Sequence, residues 1–215
     1  MKKEERYSQV LSWFRQHFQN AGTELNYDND FQLLVAVILS AQCTDKRVNI
    51  ITEKLFADYP DALSMSKATQ DTIYNYIKSC TYPNSKSKYI SETAKTLVEK
   101  YNGKVPNTAS ELTKLSGVGR KTANVILAVL YKEPKMPVDT HVFRVSERIG
   151  LTTNSKNPLQ TEKELEKNIP AIDIPDAHHW LILHGRYVCT ARSPKCKICG
   201  IKEYCKYFVR TKNEL

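Results

Sequence analysis

The chain has 215 residues, of which 41% are apolar and 26% charged, enough for one large domain or two small ones with a real core. Its mean hydropathy of −0.48 and the absence of any apolar run near the ~18 residues of a membrane helix argue against a membrane protein. With no apolar signal region after MKKEERYSQV, a soluble cytoplasmic protein is expected, associated with the nucleoid if its partner is DNA. The net charge of +9 is uneven: residues 1–100 hold 13 basic and 12 acidic residues, residues 101–215 hold 19 and 11. Residues 186–212 carry eight basic side chains against Glu203 alone. Such a segment suits a polyanion, and nucleic acid is the commonest one.

Nearly every segment reads as helix. Residues 4–18 place Tyr7, Val10, Leu11, Phe14 and Phe18 on one stripe. A second helix, capped by Asn29 or Asp30 and running to about 41, is apolar on all faces and is expected to be buried and central. Residues 46–59, 69–80 and 85–101 read as amphipathic helices, and Thr108 or Ser110 opens a short one that stops before Gly117. Helices over 120–131, 140–148, 157–168 and 176–187 follow, then a cysteine cluster. The expected architecture is all-α, with many short helices in two lobes.

Three features carry chemistry. In LSGVGRKTANVIL a short helix ends at Ser116, Gly117-Val118-Gly119 turns, and Arg120 starts a new helix. Glycines at a helix start leave main-chain N–H groups able to face a DNA phosphate, while Val118 plugs the corner; a plain helix–turn–helix corner with a glycine C-cap is the blander alternative. Lys121 sits in the first turn beside Arg120, where the helix dipole and the neighbouring cation disfavour the ammonium form, and partial burial would add to this. Such an amine can form a Schiff base. Asp139 precedes the helix of VDTHVFRV; it can cap that helix and also take up a proton or steady positive charge on a sugar.

The third feature is Cys189, Cys196, Cys199 and Cys205, separated by six, two and five residues. Four thiolates this close suit tetrahedral zinc or a [4Fe–4S] cluster, and a single CxxC with two flanking cysteines leans toward the cluster. Arg192 and Lys195 lie in the loop between the first two ligands, on a candidate phosphate-binding surface. Cys43 and Cys80 read as ordinary buried cysteines.

Together LSAQCTDKRVN (39–49), NSKSKYI (84–90), LSGVGRKTANVIL (115–127), VDTHVFRVSERIGL (138–151), LHGRYVC (183–189) and the four cysteines resemble the endonuclease III family of helix–hairpin–helix base-excision DNA glycosylases. The resemblance implies two helical lobes around a DNA-binding cleft: a six-helix barrel over about 23–134, and a [4Fe–4S] lobe joining 1–22 to 135–215. It implies excision of oxidised pyrimidines from duplex DNA and 3′ strand cleavage by a monomer. By that resemblance Lys121 attacks C1′ of a flipped-out nucleotide, Asp139 assists, and Gln42 fills the vacated gap. Ser116, Gly117, Val118, Gly119, Arg120, Thr122, His141, Arg192 and Lys195 then contact DNA, and the four cysteines hold the cluster. Ser116 stands where the family usually has Pro, at some cost in hairpin rigidity, and Thr81-Tyr82-Pro83 replaces a loop richer in glycine. Two alternatives are an adenine-mismatch glycosylase, whose catalytic glutamate has no counterpart in the apolar stretch around Ala36, and a non-catalytic iron–sulfur DNA-binding sensor.

Overall fold

The computed structural model describes residues 1–211, which contain α-helices, short 3-10 turns and no strand. Lys212, the last residue of the basic segment, lies outside the described residues. The chain divides into two compact units, one spanning Glu24–Tyr131 and the other joining Met1–Thr23 to the chain from Lys132 onward.

Helix α1 (Lys3–His17) buries Tyr7, Val10, Leu11 and Phe14, and Phe18 is half-buried just past its end. In the Glu24–Tyr131 unit the centre is α2 (Asp30–Ser40), whose residues 31–39 are all buried. Asn29 is its cap: the Gln32 N–H donates to the Asn29 side chain at 3.0 Å. Gln32, the one polar residue in this run, is satisfied by the Asp28 N–H at 2.9 Å and the Pro60 carbonyl at 3.2 Å, so it can be buried without penalty.

Around α2 run α3 (Asp45–Asp58), α4 (Ala62–Ser66), α5 (Gln70–Ile77), α6 (Pro83–Tyr101), α7 (Ala109–Leu112) and α8 (Arg120–Leu130). The sequence reading missed α4. It is one turn closed by a reciprocal cap between Asp61 and Ser64, with serine where the usual pattern has Glu or Gln. Helix α5 stops three residues before the expected end. Helix α6 starts two residues early, because Pro83 fits the first helical turn, where no N–H is needed. Thr108, not Ser110, caps α7. Helix α8 turns Ala123, Asn124, Ile126, Leu127 and Ala128 inward and packs on α2.

In the other unit α9 (Thr140–Ile149), α10 (Pro158–Asn168), α11 (Ile174–Tyr187) and α12 (Lys206–Thr211) join α1. Phe14 stacks on Trp180 with ring centroids 5.8 Å apart, and the Trp180 indole N–H donates to the Phe18 carbonyl at 3.1 Å. Glu164 on α10 accepts from the Thr153 N–H, the Ser155 hydroxyl and Lys3. Residues 188–205 have only two 3-10 turns, Cys196–Ile198 and Lys202–Tyr204, and only Ile201 and Cys205 among them are buried. Among the described residues, no helix is long and apolar enough to cross a membrane.

Candidate functional site

The hairpin lies between α7 and α8. Gly117 has φ +74°, and a Cβ there would meet the Tyr89 ring at 2.7 Å, so both backbone and space require glycine. Val118 is buried, and its N–H is bonded to the Leu115 carbonyl at 3.2 Å. It therefore plugs the corner, and its side chain offers DNA nothing. Gly119 is the N-cap residue of α8 and supplies no side-chain cap, which leaves the positive end of that helix open to an anion. Arg120 and Lys121 are exposed and Thr122 is half-exposed. The partial burial expected of Lys121 is absent, because the inward face of α8 begins at Ala123.

Ser116 regains by hydrogen bonding the rigidity a proline would have given. Its hydroxyl donates to the Glu92 carboxylate at 2.6 Å, and its carbonyl accepts from the buried Thr93 hydroxyl at 2.9 Å. Both bonds tie the hairpin to α6.

Gln42 is exposed, two residues past the end of α2, at φ +55°. The Thr81 hydroxyl donates to its carbonyl at 2.7 Å, and neighbouring Tyr82 is also left-handed at φ +54°. The sequence reading missed Lys86 here. Its ammonium is buried under this turn and donates to the Leu39 and Ala41 carbonyls. The signal was present: Lys86, Ile90, Ala94 and Leu97 fall on the buried stripe of α6.

Asp139 caps α9, its carboxylate accepting from the Val142 N–H at 2.7 Å, and it remains partly exposed. His141 is the second residue of α9, with Nδ1 3.2 Å from Arg144. Arg144 also donates to the Gly185 and Cys189 carbonyls, fixing α9 to the end of α11. Lys121 belongs to the Glu24–Tyr131 unit, and Asp139 and His141 to the other.

Cys189, Cys196, Cys199 and Cys205 line one cavity. Burial raises the Cys199 thiol to about 11 and also raises Cys196 and Cys205, with the neighbouring cysteines pushing the same way. Such thiols ionise together only around a cation. All four cysteines line the same space, a donor set that fits an iron–sulfur cluster. The surrounding cradle brings polar groups to the sulfurs: an Arg148 guanidinium N–H donor at 3.6 Å from that of Cys189, and His184 Nε2 at 3.6 Å from that of Cys199. The Trp13 ring lies where a Cβ on Gly200 would be, at 2.2 Å, so only glycine lets the loop close there. Arg192 and Lys195 are exposed on the same loop.

Residues 35–171 match the family model of the HhH-GPD superfamily base excision DNA repair protein, and residues 189–205 match the iron–sulfur binding domain of endonuclease III. Endonuclease III of Rickettsia felis is 50% identical over 201 residues, 94% of each chain. That of Escherichia coli strain K12 is 43% identical over 199 residues, 93% of this chain and 94% of the relative. A solved non-covalent endonuclease III–DNA complex matches with a TM-score of 0.91 and 38% identity, covering 99% of this chain and all of the other. A trapped endonuclease III–DNA covalent intermediate matches with a TM-score of 0.90 at the same identity and coverage. The hairpin, the four-cysteine cavity and these likenesses along nearly the whole chain show that it belongs to the endonuclease III family of helix–hairpin–helix base-excision DNA repair proteins, with a [4Fe–4S] cluster as its cofactor.

Proposed function

We propose that this DNA glycosylase is bifunctional: it removes oxidised pyrimidines from duplex DNA and cleaves the strand 3′ to the lesion through a Schiff base on Lys121. The observation that carries this reading is an exposed primary amine in the first turn of α8, directly after a hairpin whose geometry requires glycine. A relative at 38% identity solved as a trapped covalent protein–DNA intermediate supports it.

The target nucleotide leaves the stack, at a cost of a few kcal/mol that is smaller for a damaged base. Lys121 Nζ attacks C1′ and the base departs with the electron pair of the glycosidic bond. The C1′–O4′ bond then breaks as O4′ takes up a proton, and the iminium this leaves between Nζ and C1′ makes the C2′ proton acidic. Its loss expels the 3′ phosphate, which completes β-elimination. Asp139, fixed as the α9 cap, takes up a proton and balances positive charge on the sugar. Gln42 fills the vacated gap. Ser116, Gly117, Gly119, Arg120 and Thr122 hold phosphates of the lesion strand, Val118 packs beneath them with its N–H already on the Leu115 carbonyl, and His141, Arg192 and Lys195 extend the contact.

Cys189, Cys196, Cys199 and Cys205 hold the cluster, which when bound fixes the basic loop in one shape. The protein acts as a monomer on one duplex. With about five phosphates neutralised, log affinity falls against log salt with a slope of roughly −4 to −5.

The test is borohydride trapping on a duplex with one oxidised pyrimidine. The parent protein gives a covalent adduct, and Lys121→Ala gives neither adduct nor strand cleavage. Free base released without an adduct would instead make the enzyme a water-using glycosylase, with Lys121 as a phosphate contact. Tight DNA binding without either product would favour the sensor reading.

A further inference from the structure

NSKSKYI contributes one residue that the reaction above leaves unused. Lys86 is only 4% exposed, although it is a lysine in the first turn of a helix. Its ammonium donates to the Leu39 carbonyl at 2.8 Å, to the Ala41 carbonyl at 2.6 Å and to the Cys80 sulfur at 3.3 Å. The first two acceptors are at the C-terminal end of α2, where carbonyls lack helical partners and the dipole favours a cation. Many helices close such an end with a glycine in the left-handed region. Here Gln42 adopts φ +55°, a conformation a glutamine seldom takes without an external hold.

That hold comes from both sides. The peptide plane before the Gln42 Cα carries the Ala41 carbonyl, which Lys86 binds. The plane after it carries the Gln42 carbonyl, which accepts from the Thr81 hydroxyl at 2.7 Å, and the Cys43 N–H, which donates to Ser40 at 3.1 Å. Fixing both planes fixes φ and ψ, and these set the direction of the Cα–Cβ bond. The Gln42 side chain is thus aimed by main-chain bonds before any DNA arrives.

We infer that Lys86, with Thr81, is a positioning residue for base extrusion: it holds Gln42 in the left-handed turn from which the glutamine enters the gap left by the flipped nucleotide. This rests on the gap-filling role given to Gln42 above. A preset side chain gains its contacts in the duplex without first being ordered, so the pair should act on extrusion rather than on duplex affinity.

The test is a double-mutant cycle on the cluster-loaded protein. Excision of one oxidised pyrimidine is measured under single turnover for the parent, Gln42→Ala, Lys86→Met and the double variant. Methionine keeps the length of the lysine stem and removes its donors. The expected result is about a tenfold slowing in each single variant, a double variant no slower than the slower single, and affinity for undamaged duplex within about twofold of the parent. Should Lys86→Met not fold, as judged by its melting temperature and cluster absorbance, Thr81→Val takes its place in the cycle. Thr81 is exposed, and its loss should slow excision about threefold in the parent and not at all beside Gln42→Ala. Losses that multiply, or a Lys86→Met protein as fast as the parent, overturn the positioning role while leaving that of Gln42 intact. A Gln42→Ala protein as fast as the parent overturns both.

Discussion

The two units are held in different ways. The Glu24–Tyr131 unit is organised around α2, a helix buried on every face, and its core of Leu, Ile, Val, Phe and Met needs no cofactor. The other unit has an apolar core of its own around Phe14, Val145 and Trp180, but residues 188–205 scarcely share in it. Eighteen residues with two buried side chains cannot offset their ordering entropy by apolar burial, since each ordered residue costs roughly 1–2 kcal/mol. Carbonyl bonds from Arg148 to Thr190 and Ala191 help, and four cysteines around one space do the rest when loaded. A segment that presents Arg192 and Lys195 to solvent cannot also bury them, so metal ligation takes the place of a core.

The largest test of this contrast is removal of the cluster. Cys199→Ser should strip amide-exchange protection from residues 188–205 and weaken DNA binding on the order of tenfold or more, because metal binding to a segment without its own core is folding free energy. Protection around α2 should stay unchanged. A cluster-free protein that still protects 188–205 would break the comparison. Conversely, Leu34→Ala, at a fully buried position of α2, should cost about 3 kcal/mol in denaturant unfolding and leave the cluster absorbance of the folded protein unaltered.

A smaller effect separates the units by pH. His179 is buried, and burial first, then Lys132 and Arg186, lower it from 6.5 to about 4. The unfolded chain therefore binds the extra proton between those values. The stabilising contribution is complete above pH 6.5 and is lost as pH falls toward 4, about 2 kcal/mol by pH 5. His179→Gln should flatten that part of the stability curve, and a curve of unchanged slope would sink the assignment.

The smallest effect on stability is at Asp139. Asp139→Ala should lose about 1 kcal/mol of stability with the α9 cap, whereas Asp139→Asn, itself a good cap, should keep it. Both should slow excision about a hundredfold, the general magnitude of acid–base assistance. Asn matching the parent in rate would reduce Asp139 to a cap.

Periodicity foretold the helices that bury wide stripes, α1, α2, α6 and α8 among them, since a stripe of that width can be buried in few ways. It missed α4, one turn held by the Asp61–Ser64 cap, because a single turn has no period to detect. The spacing of the cysteines leaned toward iron–sulfur and left zinc open; the match of residues 189–205 to the iron–sulfur binding domain of endonuclease III decided between them. The departure at Ser116 read as lost rigidity, because the bonds to Glu92 and Thr93 join residues more than 20 positions apart.

What the sequence determined by itself is chemistry carried by residue type at short range: the glycine hairpin before Lys121, the cap at Asp139, the four thiols, and the concentration of charge toward the C-terminus. What only the tertiary structure decided is which long side chains serve the backbone instead of the solvent. Spacing puts Lys86 on one stripe with Ile90, Ala94 and Leu97, but it does not say what its ammonium meets. Only the folded chain brings the end of α2, 45 residues away, over its ammonium, and there the unpaired carbonyls of a helix end and a buried cation satisfy each other.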